Sequence, residues 1–124
     1  MNPGYYFHIE PGESFIAGGI YMPPAEQLKA VRSYVADHGA EFLEVTNDKD
    51  FKEYFPLMYD DQLKTAPKGF PKDHEYIELL RYKSFIFSKK FTDKHVKSND
   101  FIAEVVDAYR HVYPLNALLY QALE

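Results

Sequence analysis

The stretch from Tyr5 to Tyr21 constrains the fold more than any other part of the chain. It opens with Tyr5-Tyr6-Phe7-His8-Ile9-Glu10, turns at Pro11-Gly12-Glu13-Ser14, and continues as Phe15-Ile16-Ala17-Gly18-Gly19-Ile20-Tyr21. Alternation sets Tyr5, Phe7 and Ile9 on one side of an extended strand and Tyr6, His8 and Glu10 on the other. Aromatic and β-branched side chains suit a pleated, half-buried surface. Pro11 presets φ and Gly12 accepts a positive φ, so a second strand over residues 15–21 returns antiparallel to the first. Two adjacent glycines inside that strand predict a bulge or a close backbone approach. One of them is expected at positive φ, or beneath a ring such as Phe7 or Phe87.

Helices follow from the spacing downstream. Pro24 suits a first helical turn, and Leu28, Val31 and Val35 recur at helical period. Gly39 is expected to stop or hinge that helix, with Phe42, Leu43 and Val45 on a short turn after it. Asn47 is the expected cap of a helix carrying Phe51, Tyr54 and Phe55, which Pro56 ends. The stretch 56–71 reads as loop, with Pro67, Gly69 and Pro71 closely spaced. Asp73 is the expected cap of a helix with Tyr76, Ile77, Leu79 and Leu80. Ser84 to Phe91 reads as a third strand. Ser98 or Asn99 caps a helix with Phe101, Ile102, Val105, Val106 and Tyr109 on its inner side. Pro114 breaks or kinks it, and Leu115, Leu118, Leu119 and Leu123 form a last amphipathic helix. The class is α+β, a small antiparallel sheet covered by helices. At 124 residues, 46% hydrophobic and 17% aromatic, the chain is expected to form one domain with its own core.

Several function classes fall away on composition. There is no cysteine, which removes disulfides, thiolate zinc sites and cysteine nucleophiles and fits a cytoplasmic setting. No apolar run approaches a membrane span. The five histidines (His8, His38, His74, His95 and His111) are scattered without metal-ligand spacing, so no metal site is expected. Gly18-Gly19 lacks the pattern of a phosphate loop, and no nucleophile elbow exists, so no cofactor is called for.

Charge is unevenly spread. Through Asp60 there are 4 Lys+Arg against 10 Asp+Glu, and from Gln62 to Lys97 there are 9 against 4. The net charge of -5 argues against nucleic acid as a partner. The basic block instead suggests an anionic small molecule or an acidic protein face. Its distinctive part is Ala66-Pro67-Lys68-Gly69-Phe70-Pro71-Lys72-Asp73-His74. Prolines stiffen this loop and Phe70 can plug it into the core, which would hold Lys68 and Lys72 outward with Arg81 and Lys83 beside them. A rigid loop binds an anion at little entropic cost, although rigidity equally suits a plain connection.

The best catalytic candidates are His8 and Glu10. Two residues apart on a strand they share a face, a carboxylate orients an imidazole, and Glu13 or Glu26 could join them. The alternative is a solvated or packed pair, since one histidine beside one carboxylate is no triad. His8 is expected to be hydrogen-bonded to a carboxylate or hydroxyl. Two functions therefore stand: a cytoplasmic binding domain without a catalytic motif, or an enzyme using His8 and Glu10 on an anionic substrate.

Two blocks together resemble a known family. The first is the run from Tyr5 to Tyr21, with Pro24, Leu28 and Arg32 after it. The second is Ala66-Pro67-Lys68-Gly69-Phe70 with Asp73-His74, Leu79-Leu80-Arg81, Lys83 and Phe85. In order and spacing they resemble the uncharacterised bacterial and fungal family called domain of unknown function 2461. The resemblance implies no established activity and supplies no catalytic residues. It also implies a further N-terminal region of similar size, so the chain reads as the C-terminal portion of a larger family fold, either a fragment or a natural short form. A sheet lacking such neighbours is expected to self-associate, most simply as a twofold dimer through sheet edges or aromatic faces, with Tyr5, Tyr6, Phe7, Phe85, Phe87 and Phe91 supplying the apolar area.

Overall fold

The computed structural model describes residues 2–124. Four antiparallel strands form one sheet in the order β1-β2-β4-β3: β1 Gly4–His8, β2 Ser14–Ile20, β3 Leu57–Met58 and β4 Phe85–Phe91. The principal helices are α1 Ala25–Thr46 and α5 Phe101–Ala122, with short helices α2 Lys49–Tyr54, α3 Ile77–Leu80 and α4 Asp93–Val96. The expected α+β class is what the chain adopts.

Register divides the sheet into two unlike faces. Tyr5, Gly18 and Phe87 lie side by side, as do Phe7 and Ile16. This face turns toward the helices. Ile16, Ile20, Phe85, Val31, Val35, Phe42, Val112, Leu115 and Leu119 are essentially inaccessible and form one core with Phe87 and Phe91. Full burial of each such side chain contributes about 1.5–3 kcal/mol. Phe42 and Phe51 meet the rings of Phe85 and Phe87 edge to face. The burial of Phe85, Phe87 and Phe91 corrects the expectation that they serve self-association. Phe7, and Ile9 just past the end of β1, are more than half exposed, because β1 is an edge strand.

The glycine pair is a close approach without a bulge, since the β2–β4 register runs unbroken through it. A Cβ on Gly18 would fall 2.0 Å from Cγ2 of Val112 on α5. Gly19 has φ +118°, and its Cβ would meet the Phe85 carbonyl oxygen at 2.1 Å. Only glycine tolerates that combination.

Several helix boundaries differ from expectation for identifiable reasons. Gly39 hinges α1 and does not stop it: the helix kinks at the preceding residue, His38 (φ -126°, ψ 30°), and continues, because Val35 and Phe42 bury on both sides of the kink. Gly39 is also where the Tyr76 ring packs, at 2.3 Å from a would-be Cβ. Asp48 rather than Asn47 caps α2, its carboxylate accepting from the Asp50 and Phe51 amides. Asp73 caps nothing: His74 Nδ1 accepts from the Tyr76 amide and α3 starts at Ile77. Neither Ser98 nor Asn99 is the cap residue of α5, which Asp100 precedes without a side-chain cap. Pro114 lies inside α5 without dividing it. Proline forfeits one helical hydrogen bond, but it sits on the exposed side while Val112 and Leu115 hold both halves on one core. The stretch 56–71 is only partly loop, because Leu57 and Met58 pair with β4 and Gln62 bridges to Tyr82. Thr92 caps the unforeseen α4.

Candidate functional site

The face of the sheet opposite the helices is uncovered. Tyr6, Ala17 and Ser88 lie in one row across β1, β2 and β4, and His8, Phe15 and Lys90 in the next. Small residues, Ala17 and Ser88, thus floor the middle of the face, and rings rise around them. Beyond β3, Tyr59 donates its amide to the Ile86 carbonyl and meets Tyr21 edge to face at 5.4 Å. The hydrogen bond with Tyr21 raises the Tyr59 hydroxyl above its ordinary pKa. The result is an open concavity of about 950 Å³, at the upper end of the size usual for small-molecule sites. Tyr6, Phe15, Tyr21 and Tyr59 wall it, and Ile86 and Ala17 lie at its base. Ala17 and Ile86 are nearly inaccessible although no helix covers them, which shows how closely the rings stand.

The polar groups gather at one end. His8 Nε2 lies 2.8 Å from Glu10 Oε1, as its strand position implied, and the imidazole packs against Phe15 at 5.3 Å. Hydrogen bonds with His8 and with Glu13 hold the Glu10 carboxyl below its ordinary pKa. The turn is tied by the Glu10 amide donating to Ser14 Oγ and by the Gly12 amide donating to Asp93 of α4. His8, Glu13 and Lys90 line the concavity; Glu26 begins α1 and is not among its lining residues. Lys90 makes no ion pair among the described residues, so its ammonium is available to an anion.

The basic loop is elsewhere. Lys68, Lys72, Arg81 and Lys83 are absent from the lining of this concavity. Arg81 donates to the Leu63 carbonyl, and Lys83 pairs with Asp61 at 3.7 Å. Both therefore tie down the 59–64 segment. Phe70 packs against the core as expected, with Gly69 turning at φ +93°.

One polar cluster escaped the sequence reading. Glu104 of α5 accepts from Lys89 Nζ at 3.0 Å and is hydrogen-bonded to His95 of α4. Burial pushes its carboxyl up, but the hydrogen bonds and charges of Lys89 and His95 outweigh this and hold it below the usual 4.5. The pairing joins residues 9 and 15 positions apart, beyond any local pattern. Tyr5, whose hydroxyl donates to the Val105 carbonyl, is pushed up to about 12 by burial. Among the described residues no three His, Asp or Glu side chains converge as a metal site, and no helix is long and apolar enough to cross a membrane.

Fold and site together define an α+β domain whose antiparallel sheet is packed by helices on one face and presents an aromatic-walled cavity on the other. The chain belongs to the family described as conserved hypothetical protein (DUF2461), whose model matches residues 1–117. No curated protein and no solved structure matches the chain.

Proposed function

We propose that this is a cytoplasmic binding domain for a small anionic ligand with a flat apolar body. The observation that carries the reading is the uncovered cavity, with small residues at its floor, four rings around it and, at its end, Lys90 without an ion-pair partner among the described residues. Tyr21 and Tyr59 meet edge to face, which leaves the faces of the edge-on ring for a ligand. A planar apolar body would lie among the rings above Ala17 and Ile86, and a carboxylate would reach Lys90. A nucleic acid strand is disfavoured. The rings would stack bases, but a binding groove also needs continuous positive charge, and here Glu13 stands beside Lys90 along the lining.

An enzyme reading has one observation in its favour, the His8–Glu10 contact at the same end of the cavity. Both side chains are about half exposed, and the basic loop that would hold its anionic substrate is not part of the cavity. Binding is the better-supported function.

The test is an amide-resolved NMR titration with 2-naphthoate, its neutral alcohol analogue and oligouridylate. Saturable shifts centred on Tyr6, Ala17, Ile86 and Ser88, stronger for the carboxylate and levelled by Lys90→Gln, are expected. Shifts centred on residues 66–83, or tighter binding of the oligonucleotide, overturn the proposal. Turnover lost in His8→Gln with binding intact would favour the enzyme.

A further inference from the structure

The two edges of the sheet are built differently. β3 is two residues long and follows Pro56, which blunts it against further pairing. β1 has five residues, Gly-Tyr-Tyr-Phe-His, and carries no lysine, no acidic side chain and no bulge. Beyond Gly4, whose carbonyl accepts from Asn116, its outer backbone is an open template for another strand.

The helix layer extends past that edge. β1 runs antiparallel to α5: Tyr120 donates to the Pro3 carbonyl, Asn116 to the Gly4 carbonyl, and Tyr5 packs on Tyr109 at 5.4 Å. The same progression carries Phe7 toward the first turn of α5. Along this flank Ile102, Val106, Tyr109, Tyr113 and Tyr120 recur at helical spacing, each about half to two-thirds exposed. The charged residues of α5, Glu104, Asp107 and Arg110, fall on other sides of the helix by their spacing. A long helix that is apolar on its buried face and again on a neighbouring stripe is built to be covered twice. With Phe7 and Ile9, the stripe and edge expose on the order of 700 Å² of apolar side chain, more than a monomer's largest patch (~300–600 Å²) and close to one partner's ~800 Å² share of a standard interface.

We infer that the β1 edge and the α5 stripe form the twofold interface of a homodimer. The occupant is a second copy because one operation satisfies both features. A twofold axis normal to the sheet pairs β1 with its mate antiparallel and keeps both helix layers on the same side, so the two charge-free stripes face each other as an isologous contact. The sheet becomes continuous across the dimer, and the opposite face, with its cavity, stays free in each copy.

Sedimentation velocity on the full chain at about 50 µM decides the matter. The expected species has twice the 14.5 kDa mass of the chain, and it dissociates at least tenfold more readily in Val106→Glu and in Tyr113→Glu, while Ala103→Glu on another side of α5 leaves it intact. A cooperative thermal transition in each variant separates loss of the interface from loss of the fold, and two exposed sites guard against one variant failing to fold. A monomeric wild type with a native transition overturns the inference, as does a dimer indifferent to both substitutions.

Discussion

The two faces of the sheet are made from the same strands, alternating residue by residue, yet they are packed by opposite rules. On the helix side the contacts leave no slack. Gly18 gives Val112 its seat, Gly19 adopts a backbone no other residue would accept, and Phe85 and Ile16 are wholly enclosed. On the other side, the small Ala17 and Ser88 lie low among the rings, and Tyr6, Phe15, Tyr21 and Tyr59 stand around an open concavity. Interiors are close-packed because voids forfeit contact energy. A face that keeps apolar walls around an open concavity gains little stability from that arrangement, and this is why it reads as a site while its counterpart reads as a core.

If the contrast is right, substitutions on the two faces separate stability from binding. The largest loss is expected at Gly19→Ala, which combines a strained φ with a backbone clash; urea unfolding should show about 3–5 kcal/mol lost. Gly18→Ala should cost about 1–3 kcal/mol through the Val112 clash alone. The double variant Gly18→Ala with Val112→Ala should recover part of this, since residues in contact couple. Additive losses would show that the close approach is not what Gly18 serves.

Glu104→Gln sharpens the comparison from the core side, with about 1–3 kcal/mol expected because it leaves the Lys89 and His95 donors without their carboxylate. Its pH dependence has a definite sign. A carboxyl held low in the folded chain contributes stability above its unfolded pKa and loses it as pH falls through the folded value. Wild-type stability should therefore fall more steeply below about pH 4.5 than that of Glu104→Gln. Parallel acid limbs in the two proteins would contradict the assignment. Tyr59→Ala on the open face should cost about 1 kcal/mol or less in stability, yet weaken 2-naphthoate binding several-fold in the same NMR titration.

Much of the architecture was legible because its signals are local. Alternation and the Pro-Gly turn marked the β1–β2 hairpin, the apolar run marked β4, and helical period marked α1 and α5. What was misread depends on contacts distant in sequence. Pro114 looks like a break until Leu115 is seen anchoring the chain beyond it, and Phe85 and Phe87 look available until the helices are laid on them. The candidate site was half legible. The His8–Glu10 pair followed from strand period, whereas the ring wall needed Tyr59 brought beside Tyr21, and the charge block at Lys68 to Lys83 pointed to a different surface. No spacing rule brings together residues 38 positions apart, as Tyr21 and Tyr59 are.

Filling the floor of the cavity tests the central claim most directly. Ala17 lies at its base between Tyr6 and Ser88, so the ring in Ala17→Phe would occupy the space assigned to the ligand. Calorimetric titration with 2-naphthoate should then show at least a tenfold rise in Kd, in a variant that still unfolds in one cooperative thermal transition. Undiminished binding in a folded Ala17→Phe variant would contradict the assignment of the open face as the site.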